Sequence, residues 1–146
     1  MKRKKRILSL ILFAGYAALM IWLLFGQRSQ GDGGRGNINI VPLATLKLYV
    51  NILKNSHSSY LLWHAFINLA GNVIMFIPLG YFLPVISKKA KKFFPMLLYT
   101  LVVIVLIETI QYITGLGSCD IDDLILNVPG VMIGWFIRFC GTKKRK

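Results

Sequence analysis

The chain has 146 residues, of which 55% are hydrophobic and 16% charged, and its 18 Lys and Arg against 5 Asp and Glu give a formal charge of +13. A soluble domain carries about a quarter charged residues spread over its surface, so charges that concentrate at the chain ends and in one short loop exclude most soluble classes. A nucleic-acid partner is not indicated either, because the basic residues do not line a face interleaved with aromatic side chains.

The first predicted element is a membrane anchor. Lys2–Arg6 is basic, and the run from Ile7 to Phe25 that follows carries no charge. A secretory signal peptide is the alternative, but its apolar core spans about 7–15 residues and ends at a small-residue cleavage site. The longer run here ends at Gly26-Gln27-Arg28, which favours an uncleaved transmembrane helix.

The loop 26–59 divides into two parts. Gly31 to Gly36 has the composition of a flexible linker. Pro42 to Leu53 has helical periodicity, which predicts an amphipathic helix lying in the membrane interface or, alternatively, a lid packed over the bundle. Its apolar positions are Leu43, Leu46, Tyr49, Val50 and Leu53, and the polar positions opposed to them are Thr45, Lys47, Asn51 and Lys54.

Three further apolar runs cover about 60–86, 93–114 and 121–140. Each is long enough to cross the roughly 30 Å of bilayer hydrocarbon. The sequence therefore predicts one all-α domain over 1–146, an integral bundle of four transmembrane helices with an outer amphipathic helix. Four spans place the basic N-terminus, the loop Lys88–Lys92 and the basic tail on one side, and the positive-inside rule makes that side cytoplasmic, as expected for a multi-pass cell-membrane protein.

Polar residues inside the last three spans are candidates for function, because such groups are costly in hydrocarbon and tend to face the bundle interior. Helical spacing places those of each span on one face, and the rise per residue puts Asn68, Glu108 and Asn127 about 9–12 Å below the outer boundary. We expect a polar pocket that opens outward, beneath the acidic run 120–123. Its predicted members are His64, Asn68 and Asn72, then Glu108 and Gln111, then Asp120, Asp122, Asp123 and Asn127.

Glu108 is the strongest candidate among these, because a carboxylate in the membrane is costly unless it is protonated, hydrated or bonded, for example to His64 or an amide. The asparagines and Gln111 have an alternative role in hydrogen bonds between helices. For Asp120, Asp122 and Asp123 two interpretations stand equal: helix capping, or contact with a substrate or divalent cation. No cofactor is indicated.

Gly130 and Gly134 form a small-residue face, the surface that we expect a homodimer to use. Cys119 and Cys140 stand at opposite ends of the fourth span, about 30 Å apart if it is helical, so they cannot pair within one chain. Cys119 is either a free loop thiol or a bridge between two chains.

Four motifs resemble the VanZ-like family of small bacterial membrane proteins. They cover about 39–134 in family order: Asn39-Ile40-Val41-Pro42, Gly71 to Gly80, Glu108-Thr109-Ile110-Gln111, and Asp120 to Gly130 with Gly134. The resemblance implies a multi-pass membrane protein of a family named for members associated with resistance to teicoplanin. It implies no catalytic mechanism. Many family members resemble a pattern with an Arg shortly before the acidic run, where this chain has Gly117-Ser118-Cys119. If that Arg pairs with an acid or binds an anion in relatives, this chain either uses another cation, such as Arg35 or Arg28, or lacks the feature.

Three functions remain open at this stage. The first is a non-catalytic envelope protein that engages a lipid, a lipid-linked cell-wall precursor or a lipoglycopeptide in the outer pocket. The second is a membrane enzyme acting on a lipid-linked substrate with Glu108 as acid or base. The third is a small transporter or flippase subunit, which four spans without an internal repeat would build only as a dimer.

Overall fold

The computed structural model describes residues 2–26, 38–116 and 119–143. The predicted linker, Arg28, Arg35, and the pair Gly117-Ser118 lie outside these ranges. The elements in chain order are α1 (Lys2–Phe25), β1 (Ile38–Asn39), α2 (Ala44–Asn55), α3 (Ser59–Ile86), a 3-10 turn (Lys89–Lys91), α4 (Phe93–Thr114), β2 (Cys119–Asp120) and α5 (Ile121–Lys143).

Helices α1, α3, α4 and α5 confirm the predicted membrane bundle. Each contains a segment long and apolar enough to cross a bilayer: Arg6–Phe25, Ser59–Ile86, Phe93–Thr114 and Ile121–Gly141. Few residues of these segments are buried within the protein, and large apolar side chains are exposed along all four. Such an apolar surface is the one expected to contact lipid.

Helices α3 and α5 form the centre of the bundle and run in the same direction. A Cβ atom built on Gly130 would lie 2.2 Å from the carbonyl oxygen of Val73, and one on Gly134 would lie 1.9 Å from that of Ile77. The step from Gly130 to Gly134 is one turn of α5, and the matching step from Val73 to Ile77 is one turn of α3 in the same chain direction. The two helices are therefore parallel. Because glycine has no side chain, the two backbones touch directly, as is common between small residues in membrane bundles.

The homodimer surface predicted from the sequence is therefore wrong in its location. Gly130 and Gly134 are both buried, and α3 of the same chain occupies the face they share. Gly80 completes this contact from the α3 side, since a Cβ there would lie 1.9 Å from the carbonyl oxygen of Val131. A small-residue pattern indicates close helix packing, but it does not indicate whether the partner helix belongs to the same chain.

The other two spans pack around this pair. Helix α1 contacts α3, where the Tyr16 hydroxyl donates to the carbonyl oxygen of Met75 at 2.8 Å. Helix α4 returns the chain to the starting level of α5 and packs on α5. It ends at Gly115, whose left-handed φ of 65° allows the chain to turn out of the helix.

Helix α3 is longer than a membrane requires. Its 28 residues span about 42 Å at 1.5 Å per residue, against roughly 30 Å of hydrocarbon. The α3–α5 contacts align Val73 with Gly130, so the first turns of α3 extend past the start of α5. Helix α2 packs against α3 and also contacts α5.

One element was not predicted from the sequence. Strands β1 and β2 form a parallel pair two residues long, in which Ile38 aligns with Cys119 and Asn39 with Asp120. Segments this short have no detectable periodicity, so only the folded chain shows the pairing. The β1–β2 pairing connects the segment before α2 to the start of the acidic run.

The two ends of the bundle differ in charge. One end, which we call the acidic end, holds Asp120, Asp122 and Asp123 together with α2. The other, the basic end, holds the first turn of α1, the lysine-rich turn between α3 and α4, and the last turn of α5. At the basic end the Trp135 indole donates to the carbonyl oxygen of Ala90 at 2.9 Å, which fixes that turn against α5.

The positive-inside rule predicts that the basic end faces the cytoplasm. Labelling of the two cysteines can test this orientation. Cys119 lies at the acidic end and Cys140 at the basic end. In intact cells, a membrane-impermeant maleimide should label a variant that retains only Cys119 and should not label one that retains only Cys140. Both should react after the cells are lysed. Labelling of Cys140 alone in intact cells would reverse the predicted orientation.

Candidate functional site

The acidic run 120–123 and Glu108 form a group of four carboxylates at the acidic end, which we call the acidic cluster. Within the described residues, no Lys or Arg forms an ion pair with any of them. Each carboxylate has different hydrogen-bond partners, and these partners separate structural members from those that remain available to a ligand.

Asp122 caps helix α2 from another part of the chain. Its Oδ1 accepts from the backbone N–H of Leu43 at 2.5 Å, and its Oδ2 accepts from the N–H of Leu46 at 3.0 Å. Leu43 is the N-cap of α2 and has no side-chain oxygen to offer, and its φ of 65° is left-handed. Asp122 supplies both the missing acceptors and a negative charge at the positive end of the helix dipole. It is 1% exposed, so this role is structural.

Asp120 fastens the segment that leads into α2. Its Oδ2 accepts from the Thr45 hydroxyl at 2.6 Å, and its Oδ1 accepts from the Asn39 amide at 3.1 Å and from the Asp122 backbone N–H at 2.9 Å. Thr45 therefore faces the bundle, contrary to its predicted place on the outward polar side of α2. Capping is thus the observed role of Asp122, and Asp120 anchors the adjoining loop.

Asp123 and Glu108 keep oxygens that no described group binds. Oδ1 of Asp123 accepts from the Asn72 amide of α3 at 2.6 Å, and no hydrogen bond to its Oδ2 is found among the described residues. Oε2 of Glu108 accepts from the backbone N–H of Asp120 at 3.3 Å, and its Oε1 has no described partner. The sequence suggested His64 or an amide as the partner of Glu108. The observed partner is an amide, the backbone N–H of Asp120.

Asn127 adds an unpaired group to this region. It lies one turn after Asp123 on α5 and is 3% exposed. Its side-chain oxygen is buried and has no hydrogen-bond partner within the described part of the chain. Helical side chains lean toward the helix N-terminus, so this amide leans toward Asp123. Buried polar groups without a partner are uncommon, and each needs an explanation.

The structure thus brings six of the nine predicted pocket residues to one place, and it gives three of them other contacts. The six are Asn72, Glu108, Asp120, Asp122, Asp123 and Asn127. Gln111 donates to the Leu24 carbonyl oxygen at 3.2 Å, a bond between helices α4 and α1. Asn68 bonds back to His64 one turn earlier on its own helix. The His64 ring lies 6.3 Å from that of Tyr49 on α2.

Helix α2 has the position of a lid at the acidic end. The pKa of Tyr49 is raised by its partial burial and, secondarily, by the carboxylates of Asp123 and Asp120, which places this side chain close to the cluster. Helix α2 also carries a groove lined by Leu43, Leu46, Lys47, Val50, Asn51 and Lys54. This lining combines apolar and cationic groups, as expected at an anionic lipid surface.

Asn39 and Thr45 contribute to the site and were not predicted as site residues. Asn39 belongs to a motif that the family resemblance uses, but nothing in the sequence assigned it a partner. Its carboxylate partner, Asp120, is 81 positions away. Only the β1–β2 pairing, which aligns these two residues, makes the contact understandable.

The geometry gives little support to a divalent cation held by Asp120, Asp122 and Asp123. Within the described residues, no three His, Cys, Asp or Glu side chains are grouped to hold a metal ion. The oxygens of Asp120 and Asp122 already accept hydrogen bonds from the α2 segment. A cation bound there would have to displace the helix.

The thiol pKa of Cys119 is sensitive to the negative charge of the site. Its pKa is raised by burial and, secondarily, by the carboxylates of Glu108, Asp120 and Asp123. Because the thiolate is the reactive form, a raised pKa leaves less of it at pH 8 than an ordinary thiol would have. Cys119 should therefore react slowly with thiol reagents, and its reaction rate can be used to follow changes in the charge of the acidic cluster.

We expect Glu108→Gln to accelerate maleimide labelling of Cys119 at pH 8 several-fold in a Cys140→Ser background. Removal of one negative charge should lower the pKa of the thiol, so its labelling profile should move to lower pH. Cys140 in a Cys119→Ser background is the control and should keep its rate, since it lies at the other end of α5. Equal acceleration of both thiols, or none at Cys119, would contradict the predicted electrostatic coupling.

Comparison with known proteins assigns the chain to a family. Residues 12–140 match the model of the VanZ/LLP1 family. The chain is 34% identical over 105 residues to Protein VanZ of Enterococcus faecium, an alignment that covers 66% of this chain and 65% of the relative's length. No solved structure matches the chain.

Proposed function

Since the chain belongs to the VanZ/LLP1 family and is a multi-pass membrane protein, we propose that it acts as a non-catalytic protein of the bacterial cell envelope. Its ligand in this proposal is an amphiphile: a lipid, a lipid-linked cell-wall precursor or a lipoglycopeptide. The amphiphile binds at an outward-facing polar site built on Glu108, Asp123 and Asn127. Its capture lowers the susceptibility of the cell to teicoplanin.

The observation that carries this proposal is a buried polar atom at the acidic end, the Asn127 side-chain oxygen, that no described residue satisfies. It stands near a buried carboxylate, Glu108, of which one oxygen has no described partner. Glu108 is 7% exposed and Asn127 is 3% exposed, and both lie in membrane-spanning helices. Leaving a buried polar group such as the Asn127 oxygen without a partner costs roughly 1–3 kcal/mol. A polar headgroup that supplies the missing partners would recover this free energy.

The position of these groups supports an amphiphile over a soluble ligand. Asn127 lies six residues into α5, about 9 Å below the start of the helix. A ligand with an acyl chain can hold its headgroup at this depth while its tail remains in the hydrocarbon. The lipid-exposed aromatic residues on the first turns of α3, including Tyr60, Trp63 and Phe66, offer apolar surface at the same end.

The test is antibiotic susceptibility in a sensitive Gram-positive host that expresses the chain. Expression should raise the inhibitory concentration of teicoplanin several-fold and should change that of a glycopeptide without a lipid tail much less. Asp123→Asn and Asn127→Leu should each abolish the difference, because each removes an acceptor of the site.

The matched control is Asn55→Leu, which replaces an exposed asparagine on α2 whose side chain donates to Asn51 and to no other residue that the structure describes. This variant should protect as well as the native chain, provided that immunoblots show equal amounts in the membrane. Equal shifts for both antibiotics, or full protection by Asp123→Asn, would exclude the proposed function.

A further inference from the structure

We propose that the acidic end binds the primary ammonium group of a lipid headgroup, held by the free oxygens of Glu108, Asp123 and Asn127. This inference rests on the proposed function, because it assigns a chemical class to the amphiphile.

The three free atoms are all hydrogen-bond acceptors. In the described part of the chain, Glu108 keeps one carboxylate oxygen without a hydrogen bond, Asp123 keeps another, and the Asn127 side-chain oxygen is buried and unpaired. A ligand that satisfies them must supply donors and no acceptors at its tip. A primary ammonium presents three N–H donors and one positive charge, so it matches the three acceptors in number.

The charge of the cluster also favours a cation, because no described Lys or Arg pairs with its carboxylates. Asp120 and Asp122 stand beside the site with their oxygens bonded to neutral groups of the α2 segment. Asn72, the partner of Asp123, is neutral as well. Buried negative charge without a counter-charge is strongly unfavourable, and an ammonium ion would supply that counter-charge with directed hydrogen bonds.

The structural roles of the neighbouring acids define which acceptors remain for a ligand. Asp122 is committed to the cap of α2, and Asp120 is committed to Asn39 and Thr45. The acceptors left over therefore lie between helices α4 and α5, with Asn72 of α3 at one side. The oxygens available to a ligand are therefore few and close to one another along α5 and the facing part of α4, so recognition should depend on the amine.

A quaternary ammonium should not bind here. It carries the same charge but has no N–H, and proteins recognise it through the faces of several aromatic rings. The free groups at this site are oxygens, not aromatic faces. Selectivity for a primary over a quaternary ammonium is therefore the property that separates specific recognition from nonspecific attraction of a cation by negative charge.

The experiment is native mass spectrometry of the full chain released from nanodiscs that contain equal parts of phosphatidylethanolamine, phosphatidylcholine and phosphatidylglycerol with matched acyl chains. Retained phosphatidylethanolamine should exceed phosphatidylcholine by about tenfold, the ratio that one hydrogen-bonded contact of roughly 1.4 kcal/mol would give. Asn127→Leu and Asp123→Asn should each bring the ratio close to one, while Asn55→Leu should leave it unchanged.

Equal retention of the two lipids by the native chain would overturn the inference, and this measurement needs no variant that might fail to fold. Persistence of the preference in both Asp123→Asn and Asn127→Leu would overturn it as well. The outcome is separable from that of the susceptibility test. Protection against teicoplanin without amine selectivity would exclude only this inference, whereas amine selectivity without protection would exclude only the proposed function.

Discussion

Gly134→Ala is expected to destabilise the bundle severely, although alanine is normally the better helix former. An added Cβ would lie 1.9 Å from the Ile77 carbonyl oxygen, far inside the contact distance, and the atom it meets is backbone that cannot rotate away. Helices α3 and α5 would have to separate along their central contact. Such overpacking costs about 1–3 kcal/mol or more, which should lower the melting temperature in mild detergent by about 5 °C or more.

Gly15→Ala provides the matched control. Gly15 lies inside α1, and a Cβ built there would meet nothing within 4 Å. The same substitution should therefore be neutral or should stabilise the chain by up to about 1 kcal/mol, because alanine loses less backbone entropy than glycine. Thermal unfolding followed by size-exclusion chromatography should show opposite signs for the two variants. Equal melting temperatures would mean that α3 and α5 are not in direct backbone contact.

Asp122→Ala should release helix α2 from the bundle without unfolding the transmembrane helices. The substitution removes both acceptors of the Leu43 and Leu46 N–H groups, as well as the charge that faces the positive end of the α2 dipole. The loss of about 1–3 kcal/mol for unpaired buried donors corresponds to exchange of the amides in the first turn of α2 that is faster by about 5- to 140-fold. Hydrogen exchange measured by mass spectrometry would detect this change.

Two comparisons make this experiment specific. Asp122→Asn keeps one acceptor oxygen and should have an intermediate effect. Asp123→Ala removes a carboxylate one residue further on, but that carboxylate is bonded to Asn72 of α3, so exchange in α2 should remain close to native. If Asp122→Ala and Asp123→Ala accelerated exchange equally, the capping role of Asp122 would be wrong.

The four spans could be predicted from the sequence because a membrane helix is specified locally. About 20 consecutive apolar residues are needed wherever the helix packs, and the runs that end at Phe25, Ile86 and Thr114 meet this condition by composition alone. The charge asymmetry of the two ends is equally local. The lysine-rich turn and the acidic run can be assigned to opposite ends of the bundle by counting spans.

The candidate site could be predicted only in part. Asn72, Glu108, Asp123 and Asn127 were found because a polar residue in an apolar span stands out against its neighbours. The roles of the acids could not be predicted, because a carboxylate can cap a helix, pair with a cation or bind a ligand with the same local sequence around it. Asp122 caps a helix whose N-cap residue, Leu43, lies 79 positions away.

Tertiary structure decided which surfaces remain free, for a physical reason that applies to both corrected predictions. Small residues and side chains with hydrogen-bonding oxygens indicate that a partner will be close, without specifying which partner. Gly130 and Gly134 pack on α3 of the same chain, and Thr45 faces Asp120 and not water. The sequence by itself determined the membrane bundle, its charged ends and the polar groups within it. Only the packing of distant segments decided that Glu108, Asp123 and Asn127 keep acceptors to which no described residue binds.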